Sequence, residues 1–407
     1  MRDRALRAIS ECKRIAQMSE EPGCITRRFL TPPVNEVHAL LRARMESLGM
    51  TVRTDAAGNL RGLWQPQGAH GKRLILGSHI DTVPNAGAYD GVLGVALALE
   101  WLQIAQELNL PLSIEVIAFS EEEGVRFGVP FIGSRAVAGR FDPALLVLKD
   151  RDGVTLADAI RDFGLDPDKI DDAALDADVL GFMEIHIEQG PVLESEGLSV
   201  AAVSGIVGQT RLSVEFTGHA NHAGTTPMNL RHDALAGAAE WISAVEALAQ
   251  KTDGLIATVG KIGAEPNAAN VIAGAVRVSL DVRHADDRAR RGAVESILAQ
   301  AQAIALKRRL ALESTHQMDQ PAVPMDEWLT ACLVDAIAAV GMQEKRMTSG
   351  AGHDAMVMAA RIPAAMLFLR SPGGISHHPD EAVREEDVEA ALKVGHGFLQ
   401  RLATEVR

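Results

Sequence analysis

The chain has 407 residues, of which 47% are hydrophobic and 23% are charged. This is the composition of an ordinary globular protein, and it excludes disorder, a collagen-like repeat or a coiled coil as the main architecture. The length exceeds what one compact core usually contains, so we expect two domains or one large one. The net charge of −14 repels phosphate backbones and anionic lipids, which argues against nucleic acid or a membrane as a partner.

The cysteines and the N-terminal segment indicate the compartment. Cys12, Cys24 and Cys332 are too few and too scattered for a disulfide framework or a cysteine-only metal site. Residues 1–19 interleave charged and apolar side chains, which predicts an amphipathic helix rather than a secretory signal. No apolar run reaches the roughly 18 residues that a membrane span needs. We therefore expect a cytoplasmic protein.

Apolar strands and helices alternate in the first and last parts of the chain. The segment RLILGS, from Arg73, predicts a buried strand, residues 90–106 have helical periodicity, and residues 112–120 are a second apolar, β-branched run. This β-α-β order predicts a parallel sheet with helices on its faces. Further strands predicted at 181–187 and 363–371 complete one layered α/β domain.

The middle of the chain has a different pattern. It alternates polar and apolar residues at 211–219, 254–262 and 270–284, has helical periodicity at 231–250 and 285–307, and ends in the strand RLALEST. The order β-α-β-β-α-β predicts a ferredoxin-like α+β unit with its own core. We therefore predict a layered α/β domain of residues 1–210 and 327–407, and an inserted domain of residues 211–326.

Histidine and acidic residues follow the first predicted strand. His79 comes directly after it, where side chains of a parallel sheet project into the ligand crevice. Asp81 can accept a hydrogen bond from the second imidazole nitrogen of His79, and Asp90 opens the following helix. Taken alone, this H-x-D pattern is also what a turn-capping aspartate beside a surface histidine would give.

A run of glutamates follows the second strand. In SEEEG, residues 120–124, three successive carboxylates repel one another and reach the same edge of the sheet as His79. A cation is the simplest compensation for this repulsion, although an exposed charged loop is the common alternative.

Two histidine motifs fall on the remaining strands. His186 lies in EIHIEQG, an apolar strand that places Glu184 and Glu188 on the same face, and His377 and His378 lie in a glycine-rich loop after the last strand. A single histidine in a strand is usually a core residue. Four such clusters on the strands of one sheet nevertheless favour a metal site.

The candidate ligands exceed what one tetrahedral ion needs. They are His79, Asp90, Glu123, His186 and His377. Two divalent ions bridged by one carboxylate accommodate all of them, in a known hydrolytic arrangement. Imidazole and carboxylate without thiolate suit zinc or manganese, with cobalt or nickel as alternatives, rather than an iron–sulfur cluster.

Seven motifs in a fixed order resemble one enzyme family. They are GSHIDTVPNAGAYDGVLG, SEEEGVRF, EIHIEQGPVLE, GHANHAGTTPMNLRHDA, PNAANVI, SGAGHDA and GISHHPDE. In this order they are similar to the hydantoinase/carbamoylase branch of the aminoacylase-type dinuclear metallopeptidase clan. That branch contains allantoate amidohydrolases, N-carbamoyl-L-amino acid hydrolases and β-ureidopropionases.

The resemblance implies roles in a metal centre. It makes Asp90 the carboxylate that bridges two divalent ions, and it places the other four candidate ligands around them. It implies that Glu122 is the general base and that Asp81 orients His79. Three successive glutamates leave the register of base and ligand open by one residue, but the family's pair directly precedes a glycine, and Gly124 anchors it.

In the inserted domain, the resemblance implies a lid, a homodimer interface and substrate contacts. His222 matches a histidine that contacts the substrate or its oxyanion, often across the dimer. Asn270 and Arg283 match substrate contacts, with Arg283 binding a carboxylate, and Gln209 is a weaker candidate. In the catalytic domain, His353 lies in the glycine-rich SGAGHDA loop, and we expect it to line the site or to orient a ligand.

The implied activity is a metal-dependent cleavage of the ureido C–N bond in a small carboxylated substrate. Around ITRRFLTPP, residues 25–33, the chain is more similar to allantoate amidohydrolases than to carbamoylases, so allantoate is the first expected substrate. The alternatives within the branch are N-carbamoyl-L-amino acid hydrolase and β-ureidopropionase. HIEQG and NHAGTTPM argue against a plain-amide aminoacylase. The alternative of a different class is a catalytically silent relative that only binds metal or a small ligand.

Overall fold

The computed structural model describes residues 1–67, 73–176 and 178–405. The chain divides into two units, Met1–Ser204 with Pro324–Arg407, and Gly205–Val323. The predicted boundary at residue 211 falls inside a strand that begins at Gly208, so the second unit starts earlier than the sequence indicated. None of the described helices combines the length and the apolar character that a membrane span requires. His70 has no sequence context that indicates a functional role, so we expect it to be structural, and it lies outside the described residues.

Strands and helices alternate along both units. In chain order the strands are β1 (Thr51–Thr54), β2 (Leu60–Trp64), β3 (Arg73–His79), β4 (Ile114–Phe119), β5 (Val179–Ile187), β6 (Val200–Ile206), β7 (Gly208–Thr217), β8 (Ile256–Thr258), β9 (Ile262–Glu265), β10 (Ala275–His284), β11 (Ala311–Gln320), β12 (Val323–Pro324), β13 (Arg346–Ser349) and β14 (Ala364–Leu369). The α-helices are α1 (Arg2–Ile15), α2 (Pro32–Ser47), α3 (Val92–Glu107), α4 (Ile132–Val137), α5 (Leu156–Asp162), α6 (Val192–Glu196), α7 (Ala234–Lys251), α8 (Asp287–Arg308), α9 (Glu327–Ala339), α10 (Asp354–Met358) and α11 (Glu385–Glu405).

The first unit is built on a mixed sheet whose central strands are parallel. The strand order is β1-β2-β4-β3-β5-β14-β6-β12, with β13 paired to β6. The pairs β4–β3, β3–β5 and β5–β14 are parallel, whereas β1–β2, β2–β4 and β14–β6 are antiparallel. The carboxyl ends of the four central strands therefore meet at one edge, which is where open α/β sheets bind ligands. This confirms the predicted layered α/β domain.

The central strands of this sheet are rich in apolar residues, which explains why both faces of the sheet are covered there. β3, β4 and β5 are buried along almost their whole length, as is usual for strands covered on both faces. Helix α3 is mostly apolar and nearly all of its side chains are buried. At Gly94, a Cβ atom would lie 2.1 Å from the carbonyl oxygen of Ile185 on β5. Only glycine therefore allows α3 to approach the sheet so closely.

The second unit is an antiparallel sheet packed against two helices. Its strand order is β11-β7-β10-β8, with β9 also paired to β10. Inward-facing side chains of β7 and β10, such as Leu212, Phe216 and Val278, form a core with α7 and α8. The indole N–H of Trp241 on α7 donates to the carbonyl of Ile297 on α8 (3.0 Å). The unit thus has the α+β composition that the sequence predicts.

The single strand predicted at 254–262 is wrong. This stretch forms two short strands, β8 and β9, that pair with different parts of β10. Between them, the amide of Lys261 donates to the hydroxyl of Ser279 (2.9 Å) instead of to a backbone carbonyl. The sequence alternates because the chain follows β10 throughout, but this side-chain hydrogen bond interrupts the ladder.

A buried histidine on α2 predicts acid sensitivity. His38 is 6% exposed and packs edge-on against Phe163, with ring centroids 5.6 Å apart. Burial, with a smaller contribution from Arg42, lowers the pKa of His38 from 6.5 to about 4. The unfolded imidazole binds its proton at higher pH than the folded one, so the free energy of unfolding falls as pH drops from about 6.5 to about 4.

We expect His38→Leu to remove about 2 kcal/mol of the stability difference between pH 7 and pH 4.5. Urea unfolding of the metal-free protein at both pH values measures this difference. His316→Leu is the matched control because His316 is exposed, and it should keep the wild-type pH dependence. An unchanged difference in His38→Leu would contradict the prediction.

Candidate functional site

Side chains from four segments meet at the carboxyl edge of the parallel strands. His79 is the last residue of β3, and His186 is the next to last of β5. Glu122 and Glu123 follow β4, and His377 lies in the loop after β14. Because β4, β3, β5 and β14 are neighbours in that order, the predicted ligand clusters share one edge of the sheet.

Three buried residues form the first group of candidate ligands. Nε2 of His186 lies 3.1 Å from Oδ1 of Asp90 and 3.5 Å from Nε2 of His79. Nε2 of His79 lies 3.6 Å from the same oxygen of Asp90. The three ligand atoms lie within 4.8 Å of one another, so they are close enough to share one cation.

Hydrogen bonds of the two imidazoles determine which nitrogen faces Asp90. Nδ1 of His79 donates to the backbone carbonyl of Asp81 (3.0 Å), and Nδ1 of His186 donates to that of Ile187 (2.8 Å). When both imidazoles are neutral, as metal ligands must be, these protons on Nδ1 leave the Nε2 lone pairs facing Oδ1 of Asp90, an oxygen without a hydrogen-bond donor among the described residues. Three acceptor atoms that face one another without a shared proton fit a metal ion.

The second group of candidate ligands lies on the other oxygen of Asp90. Nε2 of His377 is 3.2 Å from Oδ2 of Asp90 and 3.3 Å from Oε1 of Glu123. Hydrogen bonds to Asp90 and Glu123 raise the pKa of His377 to about 10. His377 has a φ of 56°, a left-handed conformation that disfavours side chains and is often found at functional sites. Asp90 therefore joins both groups, as a bridging ligand does.

The charges around the first group stabilise a cation. Burial opposes a charged imidazole at His79, but the carboxylates of Glu122 and Asp90 outweigh it and raise the pKa of His79 well above its ordinary value. Burial also opposes ionisation of Asp90, but its contacts with three histidines hold the pKa of Asp90 well below the usual range. A divalent ion competes with protons for ligand atoms of this kind. The donor atoms and the charges therefore fit a metal centre.

The first of the three successive glutamates faces away from the candidate ligands. A carboxylate oxygen of Glu121 accepts the amides of Arg126 (2.9 Å) and Phe127 (3.3 Å). Burial raises the pKa of Glu121 to about 8. Glu121 therefore stabilises the turn after β4, and the geometry supports the register with Glu122 as base and Glu123 as ligand.

Glu122 lies beside both ligand groups. Its carboxylate is within 4.8 Å of ligand atoms of His79 and Glu123, and the residue is 7% exposed. Burial raises the pKa of Glu122 well above the usual range, with the charge of His79 opposing the rise and that of Glu123 adding to it. A carboxylate that can bind a proton next to candidate metal ligands has the properties of a general base.

Asp81 orients His79 through its backbone, not through its side chain as expected. The Asp81 carboxylate accepts the amides of Glu122 (3.0 Å) and Glu123 (3.1 Å). Its Oδ1 is 3.7 Å from Nδ1 of His79, which is too far for a hydrogen bond. The predicted bond to the carboxylate is therefore wrong, because two backbone amides occupy that group. Asp81 therefore connects His79, a candidate ligand, to the loop that carries Glu122, the candidate base.

A layer of buried polar residues lies beneath His186. The His353 ring centroid is 4.5 Å from that of His186, and its Nε2 is 2.9 Å from the hydroxyl of Ser349. Glu184 accepts the amide of Ala355 (2.8 Å). Burial, with the charge of His186, lowers the pKa of His353 well below its ordinary value. The geometry favours orientation of His186, and a substrate contact by His353 stays a prediction.

Two residues of EIHIEQG have contacts that the sequence did not predict. Glu188 accepts the amides at the start of α6, so it caps this helix. The side-chain amide nitrogen of Gln189, Nε2, donates to Oδ2 of Asp90 (3.1 Å) and to the hydroxyl of Ser376 (3.2 Å). The sequence shows the motif itself, but the partners of these side chains lie on other segments.

Asn59, to which the sequence analysis gave no role, determines where the glutamate loop begins. Its Oδ1 accepts the amide of Ser120 (3.1 Å), and its Nδ2 donates to the carboxylate of Asp55 (3.0 Å) and to the carbonyl of Gly133 (3.1 Å). Asn59 is fully buried. One side chain thus joins the turn before β2, the end of β4 and the start of α4.

Within the second unit, Gln209 and Arg283 belong to one cluster. They are cross-strand partners on β7 and β10. The Arg283 guanidinium donates from Nε and Nη2 to the two carboxylate oxygens of Asp281 (2.9 and 3.0 Å). The amide of Gln209 donates to the same carboxylate (2.5 Å). Asp281, which the sequence analysis did not single out, therefore orients two predicted substrate contacts.

His222 and Asn270 belong to a second cluster in this unit. The amide of Ala223 donates to the carbonyl of Asn270 (2.9 Å), and His222 pairs with Val271 in a single β-bridge. The amide of Gly224 donates to Nδ1 of His222 (3.0 Å), so the imidazole proton lies on Nε2. An exposed Nε2–H is a hydrogen-bond donor suited to an oxyanion.

The two clusters lie at opposite ends of the same strand pair. Gln209 is near the start of β7 and Arg283 near the end of β10, whereas His222 follows β7 and Asn270 precedes β10. From Gln209 to the end of β7 at Thr217 there are 217 − 209 = 8 residue steps, or about 27 Å at about 3.4 Å per residue. One small substrate therefore cannot contact both clusters of the same subunit.

Comparison with known proteins adds independent findings. Residues 75–401 match the model of the peptidase family M20/M25/M40. The allantoate deiminase of Arabidopsis thaliana is 37% identical over 433 residues, which covers 96% of this chain and 80% of that protein. The N-carbamoyl-L-amino acid amidohydrolase of Geobacillus stearothermophilus is 36% identical over 393 residues, which covers 96% of each.

Solved structures agree with these relatives. The crystal structure of an amidase of the hydantoinase/carbamoylase family from Burkholderia multivorans has a TM-score of 0.92 and 30% identity, covering 98% of this chain and 97% of that one. The resemblance of the seven motifs is thereby confirmed. The matched residues include the candidate ligands from His79 to His377, and together they support divalent-metal binding. The chain belongs to the peptidase family M20/M25/M40, in its hydantoinase/carbamoylase branch.

Proposed function

We propose that this protein is a dinuclear metal amidohydrolase that cleaves a ureido C–N bond of allantoate. The observation that carries the proposal is the position of Asp90, which joins His79 and His186 on one oxygen to Glu123 and His377 on the other side. Relatives named for allantoate and for N-carbamoyl-L-amino acids support this substrate class.

The proposed centre holds two divalent ions, zinc or manganese first, with cobalt or nickel as alternatives. His79, Asp90 and His186 would hold one ion, and Asp90, Glu123 and His377 the other. When bound, such ions polarise a carbonyl group and lower the pKa of water. Glu122 takes a proton from the attacking water and delivers it to the leaving nitrogen. With one water consumed, the ureido group gives ammonia, carbon dioxide and an amine.

Residues of the inserted unit would bind the substrate. The net charge of −14 repels an anionic substrate at long range, so its carboxylate needs a local cation. Arg283, oriented by Asp281, supplies this charge. His222 donates from Nε2 to the oxygen that becomes negative during attack, and Asn270 lies in the same cluster.

We propose a homodimer through the inserted unit, with His222 supplied to the active site of the partner subunit. The separation of the His222 cluster from the Arg283 cluster supports this arrangement, because one subunit cannot place both on one small molecule. Ultracentrifugation should show a dimer at working concentration. A protein that is active while only monomeric would contradict it.

Mixed dimers test the sharing of His222. Glu122→Gln and His222→Ala proteins, each inactive alone, should regain about a quarter of wild-type activity after subunit exchange. Half of the dimers are then mixed, and each has one site with both residues intact. The matched control is a mixture of the Glu122→Gln and Glu123→Gln proteins. Each change disables the active site of the subunit that carries it, so no mixed dimer has an intact site and activity should not return. No recovery in the first mixture would show that His222 acts within its own subunit.

Metal dependence tests the reaction class. The metal-free protein reconstituted with Zn²⁺, Mn²⁺, Co²⁺ or Ni²⁺ should release ammonia from allantoate, and the metal-free protein should not. Equal ammonia release without metal would contradict the dinuclear proposal. Metal binding without hydrolysis of any ureido substrate would favour the catalytically silent alternative, although every candidate ligand and the base are present.

The finer assignments concern the substrate and the compartment. N-carbamoyl-L-amino acid hydrolase and β-ureidopropionase are the second candidates, because one of the relatives is named for N-carbamoyl-L-amino acids. We also propose a cytoplasmic location. Cys12, Cys24 and Cys332 are free thiols, and such cysteines are usual in a reducing compartment.

A further inference from the structure

The last residue of the GISHHPDE motif contacts the loop that presents Asp90. Glu381 is 5% exposed, and its Oε1 accepts the backbone amides of Tyr89 (2.9 Å) and Asp90 (3.0 Å). Oε2 accepts the hydroxyl of Ser376 (3.3 Å), the residue before His377. One buried carboxylate thus contacts two segments that each present a candidate ligand.

Steric contacts show how closely Glu381 packs on this loop. A Cβ atom at Gly87 would lie 2.3 Å from Cβ of Glu381, so only glycine leaves room for it. At the other end of the loop, Gly91 has a φ of 65°, and a Cβ there would lie 2.5 Å from the ring of His79. The backbone at Asp90 therefore runs between the imidazole of a ligand and the carboxylate of Glu381.

Side chains hold Oδ2 of Asp90, whereas the backbone amides of Tyr89 and Asp90 are held by Glu381. The side-chain Nε2 of Gln189 donates to Oδ2 of Asp90 (3.1 Å), and the Ser376 hydroxyl shares its one proton between this oxygen and Oε2 of Glu381 (3.3 Å to each). These contacts orient the carboxylate of Asp90 but do not fix the position of its main chain. The carbonyls of Tyr89 and Asp90 accept amides of the start of α3, and their own amides donate to Glu381, which therefore holds the other side of this main chain. A change at Glu381 should therefore displace the main chain from which the side chain of Asp90, the shared ligand, projects.

We propose that Glu381 is a positioning residue that fixes Asp90 as the shared ligand of both metal ions and couples it to the His377 loop. The inference rests on the proposed dinuclear centre. Asp90 belongs to both ligand groups, whereas His377 belongs to one. Loss of the Glu381 carboxylate should therefore weaken the binding of both metal ions, and loss of the His377 imidazole should weaken the binding of only one.

Zinc titration against a chromophoric chelator tests this without substrate. In Glu381→Ala, both Zn²⁺ dissociation constants should rise 10- to 100-fold, the usual range for partners that orient metal ligands. Glu381→Gln should remain within about threefold of wild type, since its carbonyl oxygen can accept the two amides. Asp380→Ala is the matched control, because the neighbouring side chain is 77% exposed, and it should bind zinc as wild type does.

The outcomes separate this inference from the proposed function. Unchanged zinc binding in Glu381→Ala, weakening of one ion only, or equal weakening in Glu381→Gln would each overturn the role of Glu381 while leaving the dinuclear centre intact. A wild-type protein that binds no zinc would overturn both. If Glu381→Ala does not fold, Glu381→Asp replaces it in the same titration, because the carboxylate withdrawn by one methylene can no longer reach both amides.

Discussion

Replacing Glu122 with glutamine is expected to lower kcat by about 10³-fold while both metal ions remain bound, because general acid–base catalysis contributes about 10²- to 10⁴-fold. Glutamine keeps the size of the side chain but cannot accept the proton of the attacking water. The carboxylate of Glu122 is buried beside His79 and Glu123, so no solvent-exposed group replaces it. Metal analysis and steady-state kinetics on the same preparation measure both quantities.

Glu123→Gln is the matched control for this prediction. Its carboxylate lies with Asp90 and His377 in the second ligand group, so an amide at this position should lower metal content as well as turnover. The reverse pattern, with metal lost in Glu122→Gln and retained in Glu123→Gln, would mean that base and ligand are displaced by one residue. Glu121, which accepts two backbone amides, would then need a new assignment.

Sequence was sufficient for the parts of the site that lie at the ends of apolar strands. Parallel strands that are neighbours in a sheet place their carboxyl ends together, so an apolar run followed by histidine or glutamate is informative without any knowledge of tertiary contacts. His79 at the end of β3 and Glu123 after β4 are of this kind. The central strands were predictable for a related reason, since apolar residues dominate each of them.

Other parts of the site depend on hydrogen bonds between distant segments. Asn59 contacts Ser120 across 61 residues of sequence, and Glu381 contacts Asp90 across 291. Neither contact has a periodicity or a spacing that sequence could show. The Asp81 carboxylate illustrates the same limit, because its spacing from His79 is correct for a hydrogen bond, yet two amides of the glutamate loop occupy it.

The inserted unit shows what strand assignment alone can reveal. Gln209, His222, Asn270 and Arg283 were each identified as substrate contacts by resemblance. Their places on or next to β7 and β10 divide them into two clusters, one at each end of the strand pair. Sequence order hides this division because antiparallel strands bring residues far apart in the chain together and separate near ones.

The residues that point to allantoate have structural contacts. Arg27, in ITRRFLTPP, is 1% exposed, and its guanidinium donates to the backbone carbonyls of Ile80 (2.6 Å), Ile15 (3.2 Å) and Met18 (3.0 Å). The hydrogen bonds of Arg27 thus link α1 to the end of β3, next to Asp81, and their acceptors are not candidate ligands. Its similarity to allantoate amidohydrolases indicates a subfamily, and the substrate must be tested directly.

We expect kcat/KM for allantoate to exceed that for N-carbamoyl-L-methionine and N-carbamoyl-β-alanine by up to about 10⁴-fold. Allantoate has two ureido groups on the carbon that bears its carboxylate. A site built to hydrogen-bond the second ureido group leaves buried polar atoms without partners when an apolar side chain or a hydrogen replaces it, and such unpaired groups are costly. One metal-loaded preparation assayed with all three compounds gives the ratio. A tenfold or greater preference for either carbamoyl compound would assign the protein to that substrate instead, with Asp90, Glu122 and the metal ligands unchanged in their proposed roles.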